Sequence, residues 1–248
     1  MFRGLTTNVN LLKNSIAAIA QLIDEAVFKI TPEGIELVAA DRAKVAAVDF
    51  RLSKDAFDEY ECTEEEIKVG LNLEELLTAI KRAKKTEDIE LKVDDSKTKF
   101  EVVIKGRAIR SFTIPVLELS EEELPPIDRL QFSAKAEIDI DILKQGIDDA
   151  KDVADAVIFK ISQDTFEIIA ESDSSRLHLK VNTGEDPSLI TEGEARARYP
   201  VDYLKKFMKA APLVDRVTIK MGTDYPMRME FDAGTLKLAL ILAPRVEE

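Results

Sequence analysis

An internal repeat limits the folds available to this chain more than any other feature of its sequence. At an offset of 131 residues, residues 10–40 align with residues 141–171 without a gap, and nine of the 31 pairs are identical. Chance matching at average composition gives about two identities. A second stretch, residues 73–93, aligns with residues 201–221 at an offset of 128. The sequence therefore predicts two similar halves that arose by duplication.

The length of the chain fits this division. Its 248 residues suffice for two domains of about 120 residues each. With 45% hydrophobic residues, each half can bury a core of its own. We place an N-terminal domain at residues 1–115, a connector at residues 116–130 and a C-terminal domain at residues 131–248.

The connector is predicted to be an extended, solvated linker. It carries a run of acidic residues followed by the pair Pro125-Pro126, a composition that resists regular secondary structure. Leu124 and Ile127 are the exceptions, because they are aliphatic and predicted to be exposed. They either tether the connector to a sheet or form half of a docking groove.

Four amphipathic helices are predicted from apolar residues that recur at helical spacing. Their starts are marked by residues that favour helix N-termini, namely Asn8, Asn72, either Asp139 or Asp141, and Pro200. Between the helices the apolar period changes to two, which is typical of strands. Strands are predicted at residues 27–30, 35–38, 89–93, 100–104, 157–161, 177–181, 217–221 and 236–242. We therefore predict an α+β fold in which each domain is a duplicated helix-plus-β-meander unit.

Composition excludes several classes of protein. The single cysteine, Cys62, rules out an internal disulfide framework and fits a reducing cytoplasm. No apolar run approaches 18 residues and no signal segment is evident, so we expect no membrane span. The net charge of −13 argues against nucleic-acid binding when the chain is taken as a whole. The distribution of the charge reverses that conclusion.

The chain is poorly equipped for catalysis. Its one histidine, His178, alternates with leucines along a predicted strand, which places it on the solvated face. The nine glycines form neither a phosphate-binding loop nor a dinucleotide-binding motif. The acidic cluster Asp148–Asp152 matches the magnesium-binding DDxxD pattern of prenyl-transferring enzymes, but Lys151 lies inside it and a strand follows soon after. We interpret it as a solvated helix face, and we expect no catalytic residue, metal or cofactor.

Basic residues are concentrated on the four predicted helices, whereas acidic residues dominate elsewhere. Ten lie on or at the ends of these helices: Lys13, Lys81, Arg82, Lys84, Lys85, Lys144, Lys151, Lys205, Lys206 and Lys209. If the helices lie side by side, these side chains would meet phosphates as diffuse charges without reading bases. No aromatic residue alternates with them, which disfavours stacking on single strands. Ordinary solvated helix faces are the alternative explanation.

Several motifs resemble a known family over essentially the whole chain. They are the duplicated unit, the acidic connector, Asp41 after the second hairpin strand, Asp224-Tyr-Pro226, and the ending Leu242-Ala-Pro-Arg-Val-Glu-Glu248. Together they are similar to the archaeal sliding clamps called proliferating cell nuclear antigen. The resemblance implies a ring of three two-domain subunits, with helices on the inner face around duplex DNA and sheets on the outer face. It also implies a non-enzymatic processivity factor that tethers DNA polymerase, flap endonuclease, DNA ligase and repair proteins, and that an ATP-dependent clamp loader opens.

The same resemblance assigns roles to individual residues. The DNA-binding residues it implies are Lys13, Lys81, Arg82, Lys84, Lys144, Lys205, Lys206 and Lys209. The partner-binding residues it implies are Ala40, Asp41, Val45, Leu124, Ile127, Pro226, Ala243, Pro244 and Arg245. The subunit interface it implies pairs an edge strand at residues 105–113 with a neighbour's edge strand at residues 176–181, and includes Arg82, Lys84, Ile109, Arg110, Asp148, Asp149, Arg176 and His178.

Three alternatives stay open at the level of sequence. The chain could be a protein-interaction scaffold that does not encircle DNA, or a clamp subunit that acts only in a hetero-trimer. More distantly, it could be a metal-dependent enzyme at Asp148–Asp152. The third helix is also more acidic than the resemblance suggests, and Asp202 stands where some relatives are basic. For a homotrimeric clamp we expect location in the cytoplasm, associated with the nucleoid.

Overall fold

The computed structural model describes residues 1–120, 124, 126–186 and 189–245. It divides into two compact units. One unit contains most of the first half of the chain together with residues 232–238. The other contains most of the second half together with residues 43–47. Each unit therefore takes in a short segment from the opposite half.

The first half alternates helices with antiparallel strands. In chain order its elements are β1 (Phe2–Thr6), α1 (Val9–Ile19), β2 (Glu25–Thr31), β3 (Gly34–Ala40), β4 (Ala46–Ser53), β5 (Glu59–Cys62), β6 (Ile67–Asn72), α2 (Leu73–Lys81), β7 (Asp88–Val93), β8 (Lys99–Lys105) and β9 (Ile109–Pro115). The strands are ordered β5-β1-β7-β8-β9 in one sheet and β4-β3-β2-β6 in another. The edge strand expected at residues 105–113 starts later, at Ile109, because residues 106–108 bend.

The second half repeats this arrangement. Its elements are β10 (Ala134–Asp139), α3 (Ile140–Lys151), β11 (Ala156–Ser162), β12 (Thr165–Glu171), β13 (Arg176–Asn182), β14 (Ile190–Gly193), β15 (Ala195–Pro200), α4 (Val201–Phe207), β16 (Arg216–Met221), β17 (Met227–Asp232) and β18 (Leu236–Leu242). The strand orders are β14-β10-β16-β17-β18 and β13-β12-β11-β15, which match those of the first half element by element. The predicted α+β fold with two duplicated domains is confirmed.

The helices begin where their capping residues predict. The Asn8 side chain accepts a hydrogen bond from the Leu11 amide at 3.1 Å, and Asn72 caps α2 in the same way. Asp139, and not Asp141, caps α3. Pro200 stands at the cap of α4, one residue before the predicted first turn. In the described parts of the chain, no helix is both long and apolar enough to cross a membrane.

The fourth helix is shorter than its apolar pattern suggests. α4 ends at Phe207 and continues as a 3-10 helix over Met208–Leu213. Pro212 lies inside this segment and has no amide hydrogen for an α-helical bond, so the chain tightens into the 3-10 form. The predicted apolar stripe survives the change, since Phe207 and Met208 are both buried.

A buried carboxylate holds three strands of the first sheet together. Glu90 on β7 is only 2% exposed, and its oxygens lie 2.6 Å from Arg3 Nε, 2.8 Å from Lys92 Nζ and 3.0 Å from Lys105 Nζ. Burial alone would raise the pKa of Glu90. Hydrogen bonds from Lys92, Lys105 and Arg3 outweigh that effect and lower the pKa to about 2. The carboxylate therefore stays charged in the folded protein.

Replacing Glu90 by alanine should lower the free energy of unfolding by about 2–3 kcal/mol at neutral pH, because three cations lose a charge-assisted hydrogen bond. The folded pKa lies below the ordinary value of 4.5. This contribution is therefore fully present above pH 4.5 and is lost as pH falls toward 2. Urea unfolding at pH 7 and pH 3 measures both effects. Equal stability losses for the variant at the two pH values would contradict the assignment.

Candidate functional site

Basic side chains lie on a pair of adjacent helices in the first unit. α1 packs beside α2, and Lys13 Nζ lies 3.4 Å from the carbonyl oxygen of Lys81. Lys81, Arg82 and Lys84 are exposed, whereas Lys13 is half-buried. The structure thus brings together the four DNA-binding residues that were predicted for this half. Their side chains make a compact positive face around the end of α2.

The second unit has a corresponding pair, α3 beside α4, but its charge is mixed. Lys206 and Lys209 are exposed, Lys205 is half-buried, and the Lys206 ammonium lies 5.1 Å from the Tyr203 ring. Lys144 on α3 forms an ion pair with Asp148 at 3.1 Å, one turn further along the helix. The predicted basic residues of this half are therefore interspersed with acids.

The acidic cluster on α3 has the geometry of a solvated helix face. Asp148, Asp149 and Asp152 are all exposed, and Asp148 is already paired with Lys144. Within residues 1–120, 124, 126–186 and 189–245, no group of three or more His, Cys, Asp or Glu side chains is arranged to hold a metal ion. This arrangement gives no support to the metal-dependent enzyme.

His178 on β13 contacts a carboxylate instead of a nucleophile. Its Nε2 lies 2.7 Å from Glu167 Oε2, and Lys160 Nζ lies 3.1 Å from the other oxygen. Burial acts to raise the pKa of Glu167, but hydrogen bonds from His178 and Lys160 outweigh it and lower the pKa. The three residues form a hydrogen-bonded network across β11, β12 and β13. The sequence did not reveal it, because it depends on strand register.

Most of the predicted partner-binding residues belong to the second unit, and two of them are joined by a hydrogen bond. The Ala243 amide donates to the Val45 carbonyl at 2.9 Å, which docks the tail after β18. Leu124 and Pro226 are half-buried. Ile127 is 8% exposed, so the prediction that it is exposed is wrong. A 3-10 turn at Ile127–Arg129 buries it, which favours the tether over a freely exposed anchor.

The other predicted partner-binding residues are divided between the two units. Pro244 is half-buried and Arg245 is exposed, and the Arg245 amide donates to the Arg198 carbonyl at 2.7 Å. Ala40 ends β3 and Asp41 follows it, and both belong to the first unit. Sequence reasoning missed Arg198, although the repeat offers a way to find it.

The turn that holds Pro226 is fixed by its neighbours. Asp224 adopts φ +50°, and its amide donates to the Arg196 carbonyl at 3.1 Å. The Tyr199 hydroxyl donates to the Tyr225 carbonyl at 2.8 Å, and the Tyr225 ring lies edge-on to Phe132. Burial raises the pKa of Tyr199, so this hydroxyl stays protonated as a donor. The motif that carried the resemblance is therefore a rigid turn.

β9 in the first half and β13 in the second are each an edge strand of their sheet. On β9, Ile109 is 74% exposed, and Arg110 pairs with Glu87 at 2.6 Å. The Arg82 guanidinium lies 5.1 Å from the Phe112 ring, which fixes the end of α2 against β9. On β13, Arg176 and His178 are exposed.

The chain is similar to known proteins along almost all of its length. Residues 1–121 match the family model described as proliferating cell nuclear antigen, N-terminal domain, and residues 127–246 match the corresponding C-terminal domain. A protein of Nanoarchaeum equitans named DNA polymerase sliding clamp is 36% identical, covering 94% of this chain and 95% of that protein. A protein of the same name from Thermococcus gammatolerans is 36% identical, covering 94% of this chain and 94% of that protein. Another, from Pyrococcus furiosus, is 35% identical, covering 92% of this chain and 92% of that protein.

Proposed function

This chain belongs to the proliferating cell nuclear antigen family of sliding clamps, and we propose that it encircles duplex DNA through the basic faces of its helix pairs. The family acts as a processivity factor for DNA polymerase, forms trimers and is not catalytic. The observation that carries the assignment is the match of both halves, in order, to the two domains of the clamp. We propose that the ring is a homotrimer and works on the nucleoid in the cytoplasm.

The charge distribution supports this mode of binding. Lysine and arginine side chains on α1–α4 can screen phosphate charge without fixing a register, which suits a protein that slides. The net charge of −13 leaves the rest of the surface acidic and disfavours DNA there. Because a closed ring retains DNA topologically, each contact can be weak and mobile.

A topological experiment tests the proposal directly. The protein is loaded onto circular DNA, the circle is cut once, and retention is followed on a gel-filtration column. We expect retention on the circle and release from the linear product, since a ring slides off free ends. Equal retention on both forms would indicate conventional binding and would contradict encirclement.

Removing basic residues from the helix pairs should shorten retention on DNA. In a variant with alanine at Lys81, Lys84, Lys205 and Lys209, the slope of log affinity against log salt should fall by about 3–4, because each lost phosphate contact removes about 0.9. The fold should persist, since these side chains are exposed or half-buried. A control variant with alanine at Lys54, Lys68, Lys99 and Lys237, all outside α1–α4, should behave as wild type. Unchanged processive synthesis by the first variant at every salt concentration would refute the basic-face assignment.

We also propose that the second unit binds clients beside its tail. The Ala243 amide donates to the Val45 carbonyl in this unit, whose connector residues include Leu124 and Ile127. The tail backbone can pair with an extended peptide, and apolar residues of this kind can receive aliphatic and aromatic anchors. Client motifs with one aliphatic and two aromatic anchors would fit. DNA polymerase, flap endonuclease and DNA ligase are the expected clients, and an ATP-dependent loader is the expected means of opening the ring.

No catalytic activity on nucleic acid is expected from this chain itself. The exposed acids of α3 are paired or solvated, and the hydrogen bond described for His178 joins it to Glu167 and not to a serine, threonine or cysteine that could serve as a nucleophile. Purified protein should show no magnesium-dependent nuclease or prenyl-transfer turnover. Activity that disappears on Asp149→Asn would overturn this expectation.

Ring closure is proposed to use the two edge strands. β9 of one subunit would pair with β13 of its neighbour. This pairing would give hydrogen-bond partners to the backbone N–H and C=O groups that an isolated edge strand leaves unpaired. α2 packs near β9 and α3 packs near β13, so strand pairing would also bring the basic end of α2 toward the acids of a neighbour's α3.

A further inference from the structure

Gly70 occupies an unusual place on β6. Ile67, Val69 and Leu71 are buried in the core, so the alternation of the strand directs residues 68 and 70 to the opposite face. Lys68 on that face is exposed, yet Gly70 is buried. Another segment of the chain must therefore cover this face of β6 at Gly70 and leave it open at Lys68.

The start of the connector provides that cover. β6 ends its sheet, and beyond it the Leu117 amide donates to the Gly70 carbonyl at 2.8 Å as an isolated antiparallel bridge. A Cβ atom at position 70 would overlap the carbonyl oxygen of Leu117 and would lie 3.1 Å from Leu119 Cγ. A glycine within a strand often marks such a close approach of another backbone. Here it allows the connector to lie directly on β6.

The repeat shows the same bond in the other unit. The Arg245 amide donates to the Arg198 carbonyl at 2.7 Å, and both residues lie 128 positions beyond Leu117 and Gly70. The connector and the C-terminal tail are thus docked by equivalent edge-strand bonds. These are also the two segments that carry Ile127 and Ala243, the residues assigned to client binding.

We propose that Gly70 is a positioning residue for client binding, which acts by anchoring the first residues of the connector on β6. The inference rests on the proposed client groove. A connector held at Leu117 has less conformational freedom to lose when Ile127 and its neighbours receive a peptide, so the anchor favours binding without touching the client. Gly70→Ala should displace Leu117 and release this restraint.

The test compares Gly70→Ala with wild type in the full-length trimer. The probe is a synthetic peptide with one aliphatic and two aromatic anchors, titrated by calorimetry, and amide hydrogen exchange reports on Leu117. We expect faster exchange at Leu117 and about tenfold weaker peptide binding, equivalent to about 1.4 kcal/mol. Trimer mass and retention on circular DNA should not change, whereas general unfolding would reduce both.

Two further variants keep the test decisive. Leu119→Ala removes the side chain above Gly70 and leaves β6 intact, so it should weaken binding even if Gly70→Ala fails to fold. Lys68→Ala changes an exposed residue on the same face of β6 and leaves the backbone bond between Leu117 and Gly70 in place, so it should bind as wild type. The inference would be overturned if Gly70→Ala and Leu119→Ala both bound the peptide with wild-type affinity. It would also be overturned if a folded Gly70→Ala variant showed unchanged amide exchange at Leu117. If the wild-type protein does not bind the peptide, the proposed client groove is wrong, and this inference fails with it.

Discussion

Client peptides should bind the double variant Ile127→Ser, Ala243→Arg about 100-fold more weakly than wild type, a loss of about 2.7 kcal/mol. Ile127 is the aliphatic connector residue that we assign to the client groove, and serine removes its apolar side chain. Ala243 is half-buried and its amide is already committed to Val45 at 2.9 Å, so arginine adds bulk and charge where a peptide would approach. Calorimetric titration with the synthetic peptide that carries one aliphatic and two aromatic anchors measures the change in affinity.

The control must separate loss of the groove from loss of the fold, since Ile127 is only 8% exposed. Ile158→Ser with Ala233→Arg repeats the same two chemical changes at positions outside the predicted partner-binding set, and Ile158 is 7% exposed, as buried as Ile127. That variant should bind peptide as wild type. Both variants should keep the trimer mass. Undiminished affinity of the Ile127 and Ala243 variant would show that clients bind elsewhere.

Local sequence signals predicted the helices and the more apolar strands. Asn8, Asn72 and Asp139 cap helices because their side chains accept amide hydrogen bonds that the first turn leaves unpaired. Segments such as Phe100–Ile104 alternate large apolar residues and lie within strands as predicted. In these cases the short-range pattern alone determines the element.

Other strands could not be predicted from pattern because their inward residues are small. β15 reads Ala-Arg-Ala-Arg-Tyr-Pro and β10 reads Ala-Lys-Ala-Glu-Ile-Asp, so alanines stand where larger apolar residues would signal a buried face. They are strands because their neighbours pair with them, Ala197 with Phe159 and Ala136 with Ile219. Tertiary pairing, and not intrinsic propensity, determines these elements.

In the candidate site, too, local pattern predicted some features and others depend on the fold. The basic residues of α2 follow from helical periodicity, and the tail motif was visible in the sequence. The bonds of Leu117 to Gly70 and of Arg245 to Arg198 require the fold, because each joins segments 47 residues apart. The burial of Ile127 also required the fold, since it depends on a turn within a connector that looked solvated.

A chain in which Asp148 and Asp149 are both replaced by lysine should be a monomer instead of a trimer. The charges on the two edge strands are not complementary, because Arg176 and Lys180 on β13 and Arg110 on β9 are all positive. Arg110 also pairs with Glu87 of its own subunit at 2.6 Å. The complementary charges lie on the helices, with acids on α3 and lysines at the end of α2. Each exposed pair contributes about 0.2–1 kcal/mol, and salt screens it. The trimer should therefore also weaken as salt rises.

The rescue should reverse lysines and leave Arg82 unchanged. Arg82 contacts Phe112 at 5.1 Å and its carbonyl accepts from Arg110, so Arg82→Glu would disturb its own subunit. Lys81→Glu with Lys84→Glu in the Asp148 and Asp149 variant should restore a particle near three times 27.7 kDa by light scattering.

The matched control for this experiment is Glu192→Lys with Glu194→Lys, which makes the same change in net charge on and beside β14 instead of on α3. Both acids are exposed and belong to the second unit, so the control should remain trimeric. A trimer indifferent to salt and to reversal of Asp148 and Asp149 would assign ring closure to the strand pair and to apolar contacts such as that of Ile109, which is 74% exposed. In that case Ile109→Lys, and not charge reversal on the helices, would separate the subunits.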